Sequence, residues 1–529
     1  MTRPTPATAP EADPHGDPRR WLALCALVAS TLVLSFDMTI LNVALPTMAA
    51  QINAGTGDMQ WIVDSYTVVF AAAMLPAGLL GDRFGRRRML VTGLAVFLAG
   101  SMIGTLAHSP APVIAARTVM GLGAAFVMPL ALSVIPSLFG PKDRSKAVAI
   151  TSTAMAFGMP LGPIIGGALL EHFWWGSVFL INIPLVGISI VACLTLLPET
   201  RDPAAPRVGV LSTVCAAAGL GALVFGIIEA PDRGWGDPLV LGTLAVSVAL
   251  IAGLVLRERG SERPMLDLSL LRRPGFLWNA VAATLVSFIL TGLLFVLPSY
   301  LQTVLGNDAF GTGVRLLPMM GGLMVAARVS GTLSKRYGPR PVIAAGLVVL
   351  AAAAFLGSTT GAGDGYGATA TWLSVAGIGF GLAIVPSMDS ALGALPRERA
   401  GSGAGLLQTL RQTGSAIGVA ILGSVLAAGY RDRLGTDGLS SSAAHTARES
   451  VVGAHTVAAK LGDRALAVSA DGAYLHGMNV TLVLCGVAAL LAAGLVGAFL
   501  PNPRSLTAEG GGEPVAAAPV AARGADARQ

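Results

Sequence analysis

Apolar runs of about twenty residues recur along this chain from Trp21 to Leu500, and no other feature limits its fold so tightly. A helix of that length crosses a hydrocarbon core of ~30 Å. Charged residues make up only 12% of the 529, against roughly 25% in soluble proteins. Together these features specify an all-α polytopic membrane protein whose constant partner is the lipid bilayer. The net charge of +6 would suit nucleic acid. The basic residues, however, sit in short clusters between apolar runs rather than on one face, so no nucleic-acid role is expected. Cys25, Cys193, Cys215 and Cys485 all fall inside apolar runs without metal-ligand spacing, and they read as small buried apolar side chains.

Fourteen spans are expected. Six lie near 21–45, 61–81, 89–107, 112–138, 146–170 and 175–197. Two more lie near 208–229 and 237–256. The last six lie near 275–300, 312–333, 340–358, 369–391, 403–429 and 474–500. The run from Trp21 is too long for a signal-peptide core and is read as a retained span. With the N-terminus in the cytoplasm, the short loops on the far side hold only Arg233 as a basic residue, so both termini are placed inside. Trp21, Trp61, Trp174, Trp175, Trp278 and Trp372 fall near helix starts and Trp235 in a short outer loop, as interfacial anchors would.

The chain repeats itself. GLLGDRFGRRR (78–88) returns as GTLSKRYGPR (331–340), and GMPLGPIIGG (158–167) as GSAIGVAILG (414–423). The offsets of 253 and 256 residues are explained by two six-helix bundles with two helices inserted between them. The expected division is a disordered cytoplasmic tail at 1–20, a first bundle at 21–197 and inserted helices at 208–256. A cytoplasmic linker at 257–274, a second bundle at 275–500 with an outer loop at about 430–473, and a disordered tail at 501–529 complete it.

These motifs carry a family resemblance over Trp21 to Leu500. GLLGDRFGRRR resembles motif A of the major facilitator superfamily, RTVMGLGAA from Arg117 its motif B, and GMPLGPIIGG its antiporter motif C. SFDMTILNVALP resembles the first-span motif of the drug:proton antiporters with fourteen spans, which include antibiotic-resistance exporters of actinobacterial type. QWIVDSYTVVFA, WGSVFLINIPL and RQTGSAIGVAILG add to the likeness. The resemblance implies a major facilitator fold in which motif A (Gly78, Asp82, Arg83, Gly85, Arg86) latches the two halves on the inner side. The second copy has Lys335 in place of Asp82, so the halves should latch unequally. In motif C, Gly158, Gly162, Gly166 and Gly167 allow close helix approach, and Pro160 and Pro163 bend the helix, which suits a hinge or seal.

Ionisable groups inside spans are the candidate coupling sites, because a charge at the bilayer centre costs about 2.5–3.5 kcal/mol on insertion scales. Asp37 in the first span and Arg117 in the fourth can sit at similar depth and pair. Burial and the Arg117 charge then act in opposite senses on the Asp37 proton, as a proton-coupled exporter needs. Asp64 admits two readings, an outer proton site or a solvated helix-end carboxylate. Arg411 lacks an acidic neighbour in sequence and requires a partner from another helix or a carbonyl. Asp389 and Glu229 fall near helix ends and read as solvated. Motif B commonly carries Gln where this chain has Met120, and the tenth span has no acidic residue, which favours neutral or monocationic lipophilic substrates.

The expected function is efflux of lipophilic drugs or antibiotics by proton antiport, from a monomer that uses no metal or cofactor beyond the proton gradient. The alternative is a dedicated exporter of one endogenous metabolite. No GxxxxGK[ST], HExxH or GxSxG stretch supports ATP hydrolysis or membrane-embedded catalysis. The 430–473 loop, with SVVGAHTVAAKLGDRALAV as a possible amphipathic surface helix, is read either as a gate or as a tether.

Overall fold

Helix is the only regular structure among the described residues, which are 19–139, 141–201, 209–261, 268–361, 363–395, 400–436 and 438–501 of a computed structural model. The expected tails lie almost wholly outside this range, as does part of the 257–274 linker. An N-terminal set comprises α1 (Arg19–Ile52), α2 (Thr56–Phe84), α3 (Arg86–Thr105), α4 (Pro110–Leu138), α5 (Pro141–His172), α6 (Ser177–Leu180) and α7 (Asn182–Leu196). An inserted pair follows, α8 (Val210–Arg233) and α9 (Pro238–Gly260). The C-terminal set begins with α10 (Pro274–Ser299), α11 (Ala309–Arg315), α12 (Leu317–Tyr337), α13 (Pro339–Gly357) and α14 (Tyr366–Gly393). It ends with α15 (Ala400–Arg433), α16 (Ser441–Glu449), α17 (Val451–Leu461) and α18 (Arg464–Phe499).

Twelve stretches among the described residues are long and apolar enough to cross a membrane. A bent pair, Thr56–Met74 and Pro76–Phe84 at 50°, would make a thirteenth. Pro76 lacks the N–H that would close the helix there, which accounts for the bend. The remaining expected run, 146–170, lies in α5, which is helical from Pro141 to His172.

The two sets pack alike. In the first, α1 lies against α5, and α4 against both α2 and α3; in the second, α10 lies against α15, and α14 against both α12 and α13. The repeated sequence motifs are what make the pairing possible. A Cβ on Gly158 or Gly162 would strike α1 at Ser35 or Thr39, and one on Gly414 or Gly418 would strike α10 at Thr284 or Phe288. The last glycine of each motif faces the other set: Gly167 meets Phe310 of α11, and Gly423 meets Gln60 of α2. Gly85 and Gly338 also correspond. Each joins two helices at a positive φ, 115° and 90°, a backbone that glycine adopts without steric cost.

The inserted pair lies to one side of the two sets and bridges them. α8 packs against both α2 and α15, where Leu220, Val224, Ile227 and Ile228 bury Val68, Ala71, Ala416 and Ala420. The Trp61 and Phe225 rings are 6.1 Å apart, and Ser424 Oγ donates to the Ile227 carbonyl at 2.9 Å.

Two expectations need correcting. The 430–473 segment is mostly helical, and α18 starts at Arg464 rather than near 474. No single amphipathic helix lies on the surface, because Gly462 at φ 68° ends α17 and Asp463 caps α18 through Leu466 N. Val451, Val452, Ala454, Val457 and Ala458 of α17 are instead buried in the main core. Trp372 is not an interfacial anchor either; it is 1% exposed and packs on Gly357.

Candidate functional site

Close packing of α4 between α2 and α3 sets the depth of the central charge. Gly121 presses on the Tyr66 backbone and Gly123 on that of Phe97, so Arg117, one turn away, reaches across to α1. Its Nη1 donates to Asp37 Oδ2 at 2.7 Å, with both side chains almost wholly buried. Arg117 Nε donates to the Ile62 carbonyl at 3.2 Å, and the guanidinium lies 4.2 Å from the Tyr66 ring centre. The expected pairing of Asp37 with Arg117 is therefore present.

The network extends to residues that the sequence did not single out. Asn182, at the start of α7, donates from Nδ2 to Asp37 Oδ1 at 3.0 Å and to Ser101 Oγ at 3.2 Å. Ser101 in turn donates to Met120 Sδ at 3.8 Å. Met120 thus accepts where a Gln amide was missed, and both Asp37 oxygens are occupied. The WGSVFLINIPL string held the one available signal, an asparagine inside an apolar run.

Asp64 is 0% exposed, and neither carboxylate oxygen has a hydrogen-bond partner. The solvated reading of Asp64 is therefore wrong: the side chain is wholly buried on α2. Asp389 is exposed as expected, and Glu229 pairs with Arg233 at 2.7 Å. Arg411 is half-buried on α15 and, among the described residues, meets no carboxylate; its expected partners from other helices are Ser287 of α10 and Met388 of α14. Its Nε donates to Ser287 Oγ at 3.2 Å, and its Nη1 to Gln408 Oε1 at 3.0 Å and Met388 Sδ at 3.2 Å.

The motif A residues gather within the N-terminal set. Asp82 Oδ1 accepts from Arg86 Nε at 2.8 Å, and Arg86 Nη1 donates to the Ser133 carbonyl at 2.9 Å. Glu199 lies beside Gly85 and pairs with Arg87 at 3.7 Å and Arg88 at 3.6 Å. Gly78 fits against Pro129, and Arg83 lies over the Phe84 ring. In motif C, Gly166 packs on Ile40 and Gly313 of α11 meets the Pro163 carbonyl; the Pro160 side chain lies outside the described residues.

Hydrogen bonds between the two sets, among the described residues, all lie at the end of the bundle away from the start of α1. Gln60 Nε2 donates to the carbonyls of Val419 (3.2 Å) and Ala420 (3.0 Å). Gln302, carried on a π-helical turn at Tyr300–Val304, donates to the Val43 carbonyl at 2.7 Å and accepts from Thr47 Oγ1 at 3.4 Å. Thr56 Oγ1 donates to the Glu449 carbonyl at 2.7 Å. This end, capped by α16 and α17, is closed.

A family model described as Major Facilitator Superfamily matches residues 27–419. The chain is 35% identical over 415 residues to the tetracenomycin C resistance and export protein of Streptomyces glaucescens, covering 78% of this chain and 77% of that one. It is 32% identical over 484 residues to the multidrug efflux pump LfrA of Mycolicibacterium smegmatis, covering 90% and 96%. Among solved structures, a bacterial homolog of the human lysosomal transporter Spinster, inward-facing and occupied, is similar in fold, with a TM-score of 0.67 and 18% identity. That likeness covers 91% of this chain and 97% of the other.

Proposed function

The chain belongs to the Major Facilitator Superfamily and is a multi-pass plasma-membrane protein; from that premise we propose that it exports small lipophilic drugs or antibiotics in exchange for protons. The observation that carries this reading is the buried Asp37–Arg117–Asn182 network inside the spans. Arg117 donates to one Asp37 oxygen and Asn182 to the other. Rearrangement of α1 against α4 would remove the Arg117 donor and let a proton take its place. Proton entry down the membrane potential supplies about 2.3 kcal/mol per charge per 100 mV, so no resident metal or cofactor is needed. Asp64, buried without a partner, is the second proton carrier in this reading.

The proposal includes fourteen spans with both termini in the cytoplasm, organised as bundles at 21–197 and 275–500 around the inserted pair at 208–256. The capped end, where the hydrogen bonds between the two sets gather, then faces outward. In the opposite state Asp82 leaves Arg86 for the C-terminal set and latches the inner side, while the motif C glycines part. A monomer suffices for this cycle. The absence of an acidic residue inside α12 favours substrates without two positive charges.

Efflux of a fluorescent lipophilic monocation from cells tests the reading, with wild type and Asp37→Asn compared with and without a protonophore. Loss of efflux in both the variant and the protonophore arm is expected. Efflux that persists in Asp37→Asn would refute coupling through Asp37. A second reading, a dedicated exporter of one natural product, is favoured by relatives named for single antibiotics. A panel of unrelated compounds separates the two, because a dedicated exporter clears one chemical type.

A further inference from the structure

We infer that Arg411 anchors the cargo by receiving an acidic oxygen (a phenolate, enolate or carboxylate) of a lipophilic molecule. This rests on the export reading and narrows its substrate class. A guanidinium offers five N–H donors and carries its charge at any physiological pH. At Arg411 the Nε and Nη1 groups are taken by Ser287, Gln408 and Met388, all neutral, and Nη2 has no acceptor among the described residues. The exposed Asp389, next to Met388 in sequence, makes no ion pair with it. Such a charge inside a span is costly unless something negative reaches it.

The surroundings lack acceptors rather than donors. Gln412 Nε2 is buried without a partner, and so is Thr409 Oγ1, so one turn of α15 holds three polar side chains with unused hydrogens. Arg117 shows the contrasting case. It is 2% exposed and its charge is answered internally by Asp37, whereas Arg411 keeps part of its surface open. The position is also too deep for a lipid phosphate. Arg411 lies eleven positions along α15 from Ala400, roughly 16 Å at 1.5 Å per residue. A free planar fork at that depth suits an oxygen anion on a molecule apolar enough to enter the bundle.

The test is binding to the purified full-length protein, read by tryptophan fluorescence, with 2-hydroxyanthraquinone and its methyl ether, 2-methoxyanthraquinone, at a pH where the phenol is ionised. Wild type is expected to bind the phenolate about tenfold or more tightly than the ether, the size of one charge-assisted hydrogen bond. Arg411→Gln should erase that preference while leaving the affinity for the ether unchanged, and Arg411→Lys should keep part of it. If wild type shows no preference, or if the preference survives in Arg411→Gln, the proposal is overturned. Should Arg411→Gln fail to fold, the wild-type comparison and Arg411→Lys carry the test, and an undiminished preference in Arg411→Lys overturns the fork geometry. The export reading fails separately: protonophore-insensitive efflux with an intact phenolate preference sinks coupling but not the anchor.

Discussion

The two repeats share a scaffold and differ in charge. In the N-terminal set, Asp37 of α1 and Arg117 of α4 pair inside the bundle. At the repeat offsets the C-terminal set offers Leu290, Thr291, Gly292 and Leu293 on α10, and Ala370, Thr371, Trp372 and Leu373 on α14. Its in-span charge sits on a different helix, α15, where the half-buried Arg411 meets no carboxylate among the described residues. Matched backbones with unmatched charges point to a division of labour. A satisfied pair holds still until its own helices shift relative to one another, whereas an unsatisfied group waits for something from outside.

The largest effect should come from removing one member of the satisfied pair. Asp37→Leu leaves Arg117 buried without a counter-charge, and such changes cost about 3–5 kcal/mol. Replacing both, Asp37→Leu with Arg117→Met, should restore much of that loss because no charge is then stranded. Thermal unfolding of the two single variants and the double closes the cycle. Additive losses would mean that the two side chains do not depend on each other. Arg411→Leu should cost less than Asp37→Leu, because it strands no charged partner; the reverse order would erase the contrast between the repeats.

Next come the glycines that make the scaffolds alike. Gly162→Val and Gly418→Val should each destabilise by about 1–3 kcal/mol, since the added methyls meet backbone on α1 and on α10. Gly167→Ala should instead disturb the contact between the repeats, because its Cβ would meet the Phe310 and Ala309 backbone. A Thr47→Cys, Gln302→Cys crosslink reports that seam and should form more slowly in Gly167→Ala. Gly423→Ala should do so more weakly, because Gln60 can swing aside. Equal effects of Gly162→Val and Gly167→Ala on crosslinking would dissolve the distinction between packing and seam glycines.

A smaller loss tests how the pair is held. Asn182→Leu takes the donor from Asp37 Oδ1 and leaves the ion pair, a change of about 1–3 kcal/mol if the oxygen is left unsatisfied. Its specific mark is a displaced pH profile of efflux, since a merely structural asparagine would lower efflux equally at every pH.

Much of this was legible in the chain. Long apolar runs can only be helices in a bilayer, and the glycine spacing of 158–167 and 414–423 marks the two halves as repeats. Asp37 and Arg117 stood out because charges are rare in such runs. Asn182 does not, because a neutral amide in an apolar run is ordinary until its partner on another helix is seen. Asp64 is ambiguous for a related reason: its burial depends on what the rest of the bundle packs over α2, which nothing local to residues 56–84 encodes. The place of α8, across the α2–α15 seam, and the burial of α17 likewise arise from long-range contacts that periodicity does not carry.

The smallest expected effect concerns the cap, the one part of the C-terminal repeat with no N-terminal counterpart. Tyr430 OH donates to the carbonyls of Ala447 (2.8 Å) and Ser450 (3.3 Å), which ties α16 and α17 to α15 within their own repeat. Only Thr56 hydrogen-bonds the cap to α2, through Glu449, among the described residues. Thr56→Val should therefore loosen the closed end by about 0.5–1.5 kcal/mol, at most about tenfold in the open population, and leave the cap folded. Tyr430→Phe should do the reverse, freeing α16 and α17 while the Gln60 and Gln302 bonds keep the end shut. Hydrogen exchange over 441–461 and over 43–60 distinguishes the two. If Thr56→Val also changes the transport rate, the cap is a gate across the repeats. If exchange over 43–60 rises and the rate does not change, α16 and α17 only tether α15 to α18, and deleting 440–465 should leave transport intact.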